Sequence, residues 1–225
     1  MLNYPVERAV LEPLVPAGTV LDTYRGQAYV SVVGFLFLKT KVLGLAMPFQ
    51  QNFEEVNLRF YVRRFADGDW RRGVVFIKEL VPKPAIAAVA RWFYNENYAA
   101  LPMRHAIQTD ASGALTAVNY GWEHGGRWQG LQAMPTGACC EAAPGSLAEF
   151  ITEHYWGYVR QRDEGTIEYR VEHPRWRVGS VSEATLDCDA AALYGAEFAD
   201  ALSARPASAS VADGSAVTVF KGVRV

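Results

Sequence analysis

FEEVNLRFYVRRFADGDWRRGVVFIKEL, residues 53–80, carries the clearest β signature in the chain. From Phe53 to Arg64 the residues alternate with a period of two. Glu54, Val56, Leu58, Phe60 and Val62 point one way, and Glu55, Asn57, Arg59, Tyr61 and Arg63 point the other. Ala66-Asp67-Gly68-Asp69 is a turn, and Trp70 to Leu80 returns as the partner strand, so the segment reads as one long hairpin.

The neighbours extend this pattern. Gln27 to Leu38 is β-branched and aromatic, a buried strand, followed by a loop with Gly44 and Pro48. Downstream, Pro82 and Pro84 open a helix whose apolar face is Ile86, Val89, Ala90 and Phe93. Residues 95–102 read as irregular. From Met103, turns at 110–113 and 124–126 separate three short strands, and 135–145 reads as a loop. Ser146 and Glu149 form a capping box ahead of Phe150 and Ile151. Strands over 158–162 and 166–173 flank the turn Asp163-Glu164-Gly165, and 175–186 is a further strand. Asp189 caps an alanine-rich helix ending near Ala204. Residues 207–214 read as a loop and 216–225 as a last strand. No repeat or long polar linker divides the chain, so residues 1–225 read as a single domain. The expected class is α+β, mainly β: an antiparallel or mixed sheet curled into a barrel or cone, with two to three helices.

Composition narrows the function classes. Of 225 residues, 50% are hydrophobic and 20% charged, and 22 basic residues against 24 acidic ones leave a net charge of −2. That balance lacks the basic footprint of a nucleic-acid binder. Cys139, Cys140 and Cys188 have no CxxC spacing and read as reduced thiols. The opening MLNYPVERAVLEPLVP carries charges where a signal peptide needs an apolar stretch. The greasiest segment, Val30 to Leu38, falls well short of the ~20 residues that span a bilayer. A cytoplasmic protein without a membrane partner is expected.

The runs NFEEVNLRFYV (52–62), RRGVVFIKEL (71–80), FITEHYWGYV (150–159), IEYRVEHPRWRV (167–178) and VTVFKGVRV (217–225) resemble a bacterial family of unknown function, the YqjF-like proteins. That family in turn resembles acetoacetate decarboxylase, which implies a related β-barrel or cone. It does not transfer a function, because one fold hosts many. The decarboxylase uses a Schiff-base lysine whose amine is kept free by a second lysine beside it. The matching stretch here, Trp92-Phe93-Tyr94-Asn95-Glu96-Asn97-Tyr98-Ala99, contains no lysine. The chain's five lysines, Lys39, Lys41, Lys78, Lys83 and Lys221, have no lysine neighbour in sequence. The resemblance therefore argues against that mechanism here.

Glu55, Asn57, Arg59 and Tyr61 form the leading candidate site: a carboxylate, amide, guanidinium and phenol roughly 6.6 Å apart along a strand. Arg59 would clamp a carboxylate and Glu55 would act as acid or base, in keeping with an acidic residue on the matching strand of the decarboxylase active site. The same pattern also fits a solvated strand face or a buried Glu–Arg pair. Lys78 interrupts an apolar run. It reads as an amine nucleophile if it points inward and is desolvated, or as a rim lysine; of Lys78 and Glu79 only one can face inward. Trp92, Phe93, Tyr94 and Tyr98 read as core packing or as a wall over a ligand, with Tyr98 nearest the missing lysines. Arg160 and Tyr169, across a hairpin, are further candidates for the same cavity. Glu153, His154 and His173 lack the convergent third ligand of a metal site, so Glu153 reads as a hydrogen-bonding residue and a further ligand-binding candidate. The expected partner is a small organic acid or ketone, bound in a barrel cavity with no cofactor; a homo-oligomer is compatible with the sequence. The competing reading is a non-catalytic interaction or regulatory protein whose barrel is filled with side chains.

Overall fold

A computed structural model describes residues 1–39, 41–42, 45–46, 52–84 and 97–225. The helix read over Ile86, Val89, Ala90 and Phe93 lies outside the described residues, as do Trp92, Phe93 and Tyr94. The strands that organise the fold are β1 (Leu2–Val6), β2 (Ala28–Phe37), β3 (Phe53–Ala66), β4 (Asp69–Val81), β5 (Tyr98–Ala100), β6 (Met103–Thr109), β7 (Leu115–His124), β8 (Arg127–Glu141), β9 (Trp156–Arg160), β10 (Thr166–Glu172), β11 (Arg177–Asp187) and β12 (Ser208–Ala212). Among the described residues the α-helices are short: α1 (Arg8–Leu11), α2 (Leu147–Thr152), α3 (Ala190–Tyr194) and α4 (Ala199–Ser203).

The hairpin forms as read, with β3 and β4 paired from Val56–Leu80 to Ala66–Asp69. One mixed sheet runs β10-β9-β4-β3-β2-β1-β12-β11-β8-β7-β6, with β5 added beside β4. Thr218–Val219 lies beyond β10, so among the described residues the sheet has two ends and does not close into a barrel. It does curl. One apolar cluster takes Leu58 and Phe60 from β3, Trp122 from β7, Leu131 from β8 and Leu193, Phe198 and Leu202 from the α3–α4 region. Across the same space, His105 Nδ1 of β6 lies 3.3 Å from Glu54 Oε2 of β3. Each such large apolar side chain contributes about 1.5–3 kcal/mol when buried, so this core is what bends the sheet.

Local chemistry sets the helices. Ser146 accepts from Glu149 N–H at 3.2 Å, while Glu149 accepts from Gly145 N–H at 2.7 Å, so the box closes one residue further back than usual. Asp189 accepts from Ala192 N–H at 3.0 Å. The alanine-rich helix is then broken by Gly195, at φ +120°, which no L residue adopts without strain. The structure departs from the sequence reading in four further places. Tyr98–Ala100 is a strand, β8 continues through the expected loop to Glu141, Ser208–Ala212 is a strand rather than a loop, and the last strand read over 216–225 is reduced to Thr218–Val219 and Val223–Arg224.

Candidate functional site

Alternation along β3 places Glu55, Asn57, Arg59 and Tyr61 on the face opposite the main core. That face is also covered: Glu55 is 2% and Asn57 1% exposed. The register supplies the neighbours. On β2, Phe35 stands opposite Glu55, Val33 opposite Asn57 and Ser31 opposite Arg59. On β4, Glu79 stands opposite Asn57, Phe76 opposite Arg59 and Val74 opposite Tyr61.

A bulge decides what joins this row. Leu58 pairs with Lys78 but Arg59 pairs with Phe76, so Ile77 is the extra residue and the alternation of β4 reverses there. Phe76 and Val74 face the polar row, and unbroken alternation would have sent Lys78 with them. Instead Lys78 stands opposite Leu58 on the core side, where its Nζ donates to the Leu193 carbonyl at the end of α3. The group delivered to the row is the buried Glu79.

Asn57 Nδ2 donates to Glu55 Oε1 at 3.0 Å, and Tyr98 OH donates to Glu55 Oε2 at 3.2 Å. Both carboxylate oxygens of Glu55 are thus engaged, and the Asn57 amide is oriented by them. Asn57 Oδ1 and Arg59 Nε are buried with no hydrogen-bond partner among the described residues. The Arg59 guanidinium lies 5.8 Å from the Tyr61 ring centroid. Tyr61 OH is 2.6 Å from Ser31 Oγ, Ser31 donates to Asn3 Oδ1 at 2.6 Å, and Asn3 Nδ2 donates to Ser208 Oγ at 2.9 Å.

At the far end of the row the Tyr61 ring lies 4.6 Å from His154 and 5.3 Å from Phe150 of α2. His154 Nε2 is 3.5 Å from Asp22 Oδ2, and Arg72 Nε donates to the same oxygen at 2.7 Å. Burial pushes the His154 imidazole down to about 4, against the opposing pull of Asp22, so the ring is neutral at pH 7. Burial alone would raise the Asp22 carboxyl, but the hydrogen bonds and charges of His154 and Arg72 outweigh it and hold it below its ordinary value. His154 Nδ1 is buried without a partner among the described residues, whichever tautomer the ring adopts.

The structure therefore gathers Glu55, Asn57, Arg59, Tyr61 and Tyr98, and adds Glu79, Ser31 and His154. Tyr169 stands in the cross-sheet row of Tyr61 through Val74 and Gly157, its ring filling the place of a Gly157 side chain. Lys78 and Arg160 do not join them. Arg160 pairs with Glu164 and donates to the Pro13 carbonyl at 3.0 Å. Glu153 sits near the rim, accepting from Tyr155 OH and lying 3.5 Å from Arg175. His154 was legible only as a metal-ligand candidate, because Asp22 and Arg72, which position it, are remote in sequence.

The architecture is that of the acetoacetate decarboxylase-like fold. The chain matches the acetoacetate decarboxylase of Legionella pneumophila over 100% of its own length and 82% of that chain, with a TM-score of 0.61 and 12% identity. It matches the enduracididine biosynthesis enzyme MppR, solved with pyruvate, over 99% and 86%, with a TM-score of 0.65 and 13% identity. In sequence it is 27% identical over 173 residues to the uncharacterized protein YqjF of Bacillus subtilis, covering 76% of this chain and 69% of that one. Residues 1–216 match the model of DUF2071, a family of uncharacterized conserved proteins, and the chain belongs to that family.

Proposed function

We propose that this protein binds a small organic acid or ketone along the row Glu55–Asn57–Arg59–Tyr61, without the lysine pair of acetoacetate decarboxylase. The observation that carries the reading is the pair of unanswered buried atoms, Asn57 Oδ1 and Arg59 Nε. Leaving such an atom unpaired costs about 1–3 kcal/mol, and here a donor and an acceptor stand one same-face step apart. A keto or carboxylate oxygen accepts from Arg59, and a hydroxyl or enol of the same molecule donates to Asn57. Glu55 is the acid–base group of this reading, and the Tyr98 phenol is its proton partner. The solved neighbours support the ligand class, since one is an acetoacetate decarboxylase and another was solved with pyruvate.

The filled main core, in which Leu58, Phe60, Trp122 and Phe198 are wholly buried, favours a second reading: a non-catalytic interaction or regulatory protein. Calorimetric titration with pyruvate and acetoacetate separates the two. The first reading expects saturable binding that weakens at least tenfold in Arg59→Ala and in Glu55→Gln, with melting curves confirming that both variants fold. Absence of binding, or variants that bind like the parent, removes it. Borohydride added with either ketone should leave the mass of the Lys78 peptide unchanged, since that amine faces the core.

A further inference from the structure

The outer face of β6–β7–β8–β11 carries a separate groove of about 330 Å³. Its floor comes from the register: Arg104, Gly121, Gly130 and Asp187 stand in one cross-sheet row. The two central positions have no side chain, and neither has room for one at no cost. A Cβ on Gly130 would lie 2.5 Å from the Tyr120 carbonyl oxygen, and one on Gly121 would lie 3.2 Å from Arg104 Cγ and Nε. Three strand spacings, roughly 14 Å of backbone, separate Arg104 from Asp187. The Arg104 side chain lies across Gly121 towards Trp128, so the bare backbone left between it and Asp187 is that of Gly130.

The remaining walls are equally specific in chemistry. Trp128, two residues before Gly130, is 40% exposed. The Arg104 guanidinium lies 4.0 Å from its ring centroid. That contact holds the guanidinium flat, and Arg104 has no ion pair among the described residues, so its N–H fork is available to an oxyanion. On the opposite side Asn119 and Gln132 form a cross-strand pair of amides, offering donors and acceptors together. Asp187 forms an exposed ion pair with Arg127 at 3.0 Å.

We propose that this groove binds a monosaccharide-sized sugar acid. Its ring lies over Gly130 against the part of Trp128 that Arg104 leaves exposed, its hydroxyls meet the Asn119 and Gln132 amides, and its carboxylate meets Arg104. Such a ligand uses each wall for what that wall can do: a flat aromatic for the C–H face of the ring, amides for hydroxyls, and a fork for two carboxylate oxygens. The groove takes no residue from the row on β3.

The test is a ¹H–¹⁵N NMR titration of the protein with galacturonate and with galactose. It follows the Trp128 indole N–H, assigned through Trp128→Phe. Galacturonate should shift this resonance saturably, and galactose should bind at least tenfold more weakly. Arg104→Ala should weaken galacturonate at least tenfold, and Arg104→Lys, which keeps the charge but loses the fork, should fall between. Galactose bound as well as galacturonate, no saturable shift with galacturonate, or Arg104 variants that bind like the parent would each overturn the assignment.

Discussion

His154 shows how much one side chain can hold in reserve. Its ordinary value of 6.5 falls to about 4 in the fold, so between those limits the unfolded chain takes up a proton that the folded chain refuses. Stability is therefore intact above about 6.5 and is lost progressively as the pH falls towards 4. At 1.4 kcal/mol per unit the full loss is roughly 3 kcal/mol. Asp22, held below its ordinary value, adds a second loss at still lower pH. Urea unfolding at pH 7, 5.5 and 4.5 should show this slope in the parent and a flatter one in His154→Gln; an unchanged slope would assign the effect to other groups. The identity of the polar row was legible in the sequence because Glu55, Asn57, Arg59 and Tyr61 alternate without interruption. The choice between Lys78 and Glu79 was not, because the bulge at Ile77 is a property of pairing with β3 and leaves no mark in the local pattern.

At the level of elements, the long hairpin and both side-chain caps could be read directly, since turn residues and capping oxygens act over a few positions. The strand Ser208–Ala212 could not. Its small side chains carry little β signal, and it exists because β1 and β11 supply backbone partners on its two sides. The junction of β4 with β9 is another product of packing, a parallel contact at Gly73 and Val74. A Cβ on Gly73 would lie 2.6 Å from the Trp156 carbonyl oxygen and from the Tyr158 ring. Gly73→Ala is expected to cost about 1–3 kcal/mol by overpacking, read as a lowered urea midpoint. A midpoint matching the parent would mean that this junction yields freely.

Over the whole molecule, two wings of sheet are joined through β1. It pairs with β2 from Leu2–Val32 to Val6–Ala28, but with β12 only at Leu2–Ala209 and Asn3–Ser208. A chain ending at Arg205 lacks β12, leaving β1 and β11 without that shared partner. It is expected to appear in the insoluble fraction, and a soluble monomer with the parent's far-ultraviolet spectrum would contradict this. The same arrangement governs the nascent chain. About 175 residues separate the end of β2 from the end of β12. At a synthesis rate of about 5–20 residues per second, β1 waits roughly 10–35 s beside β2 with its other side bare. Such an edge invites pairing with a neighbouring chain, and Pro5 stands in the half that β12 never reaches, with no N–H to offer a stranger. A proline there leaves a neighbouring chain one N–H fewer to pair with while β12 is still being made.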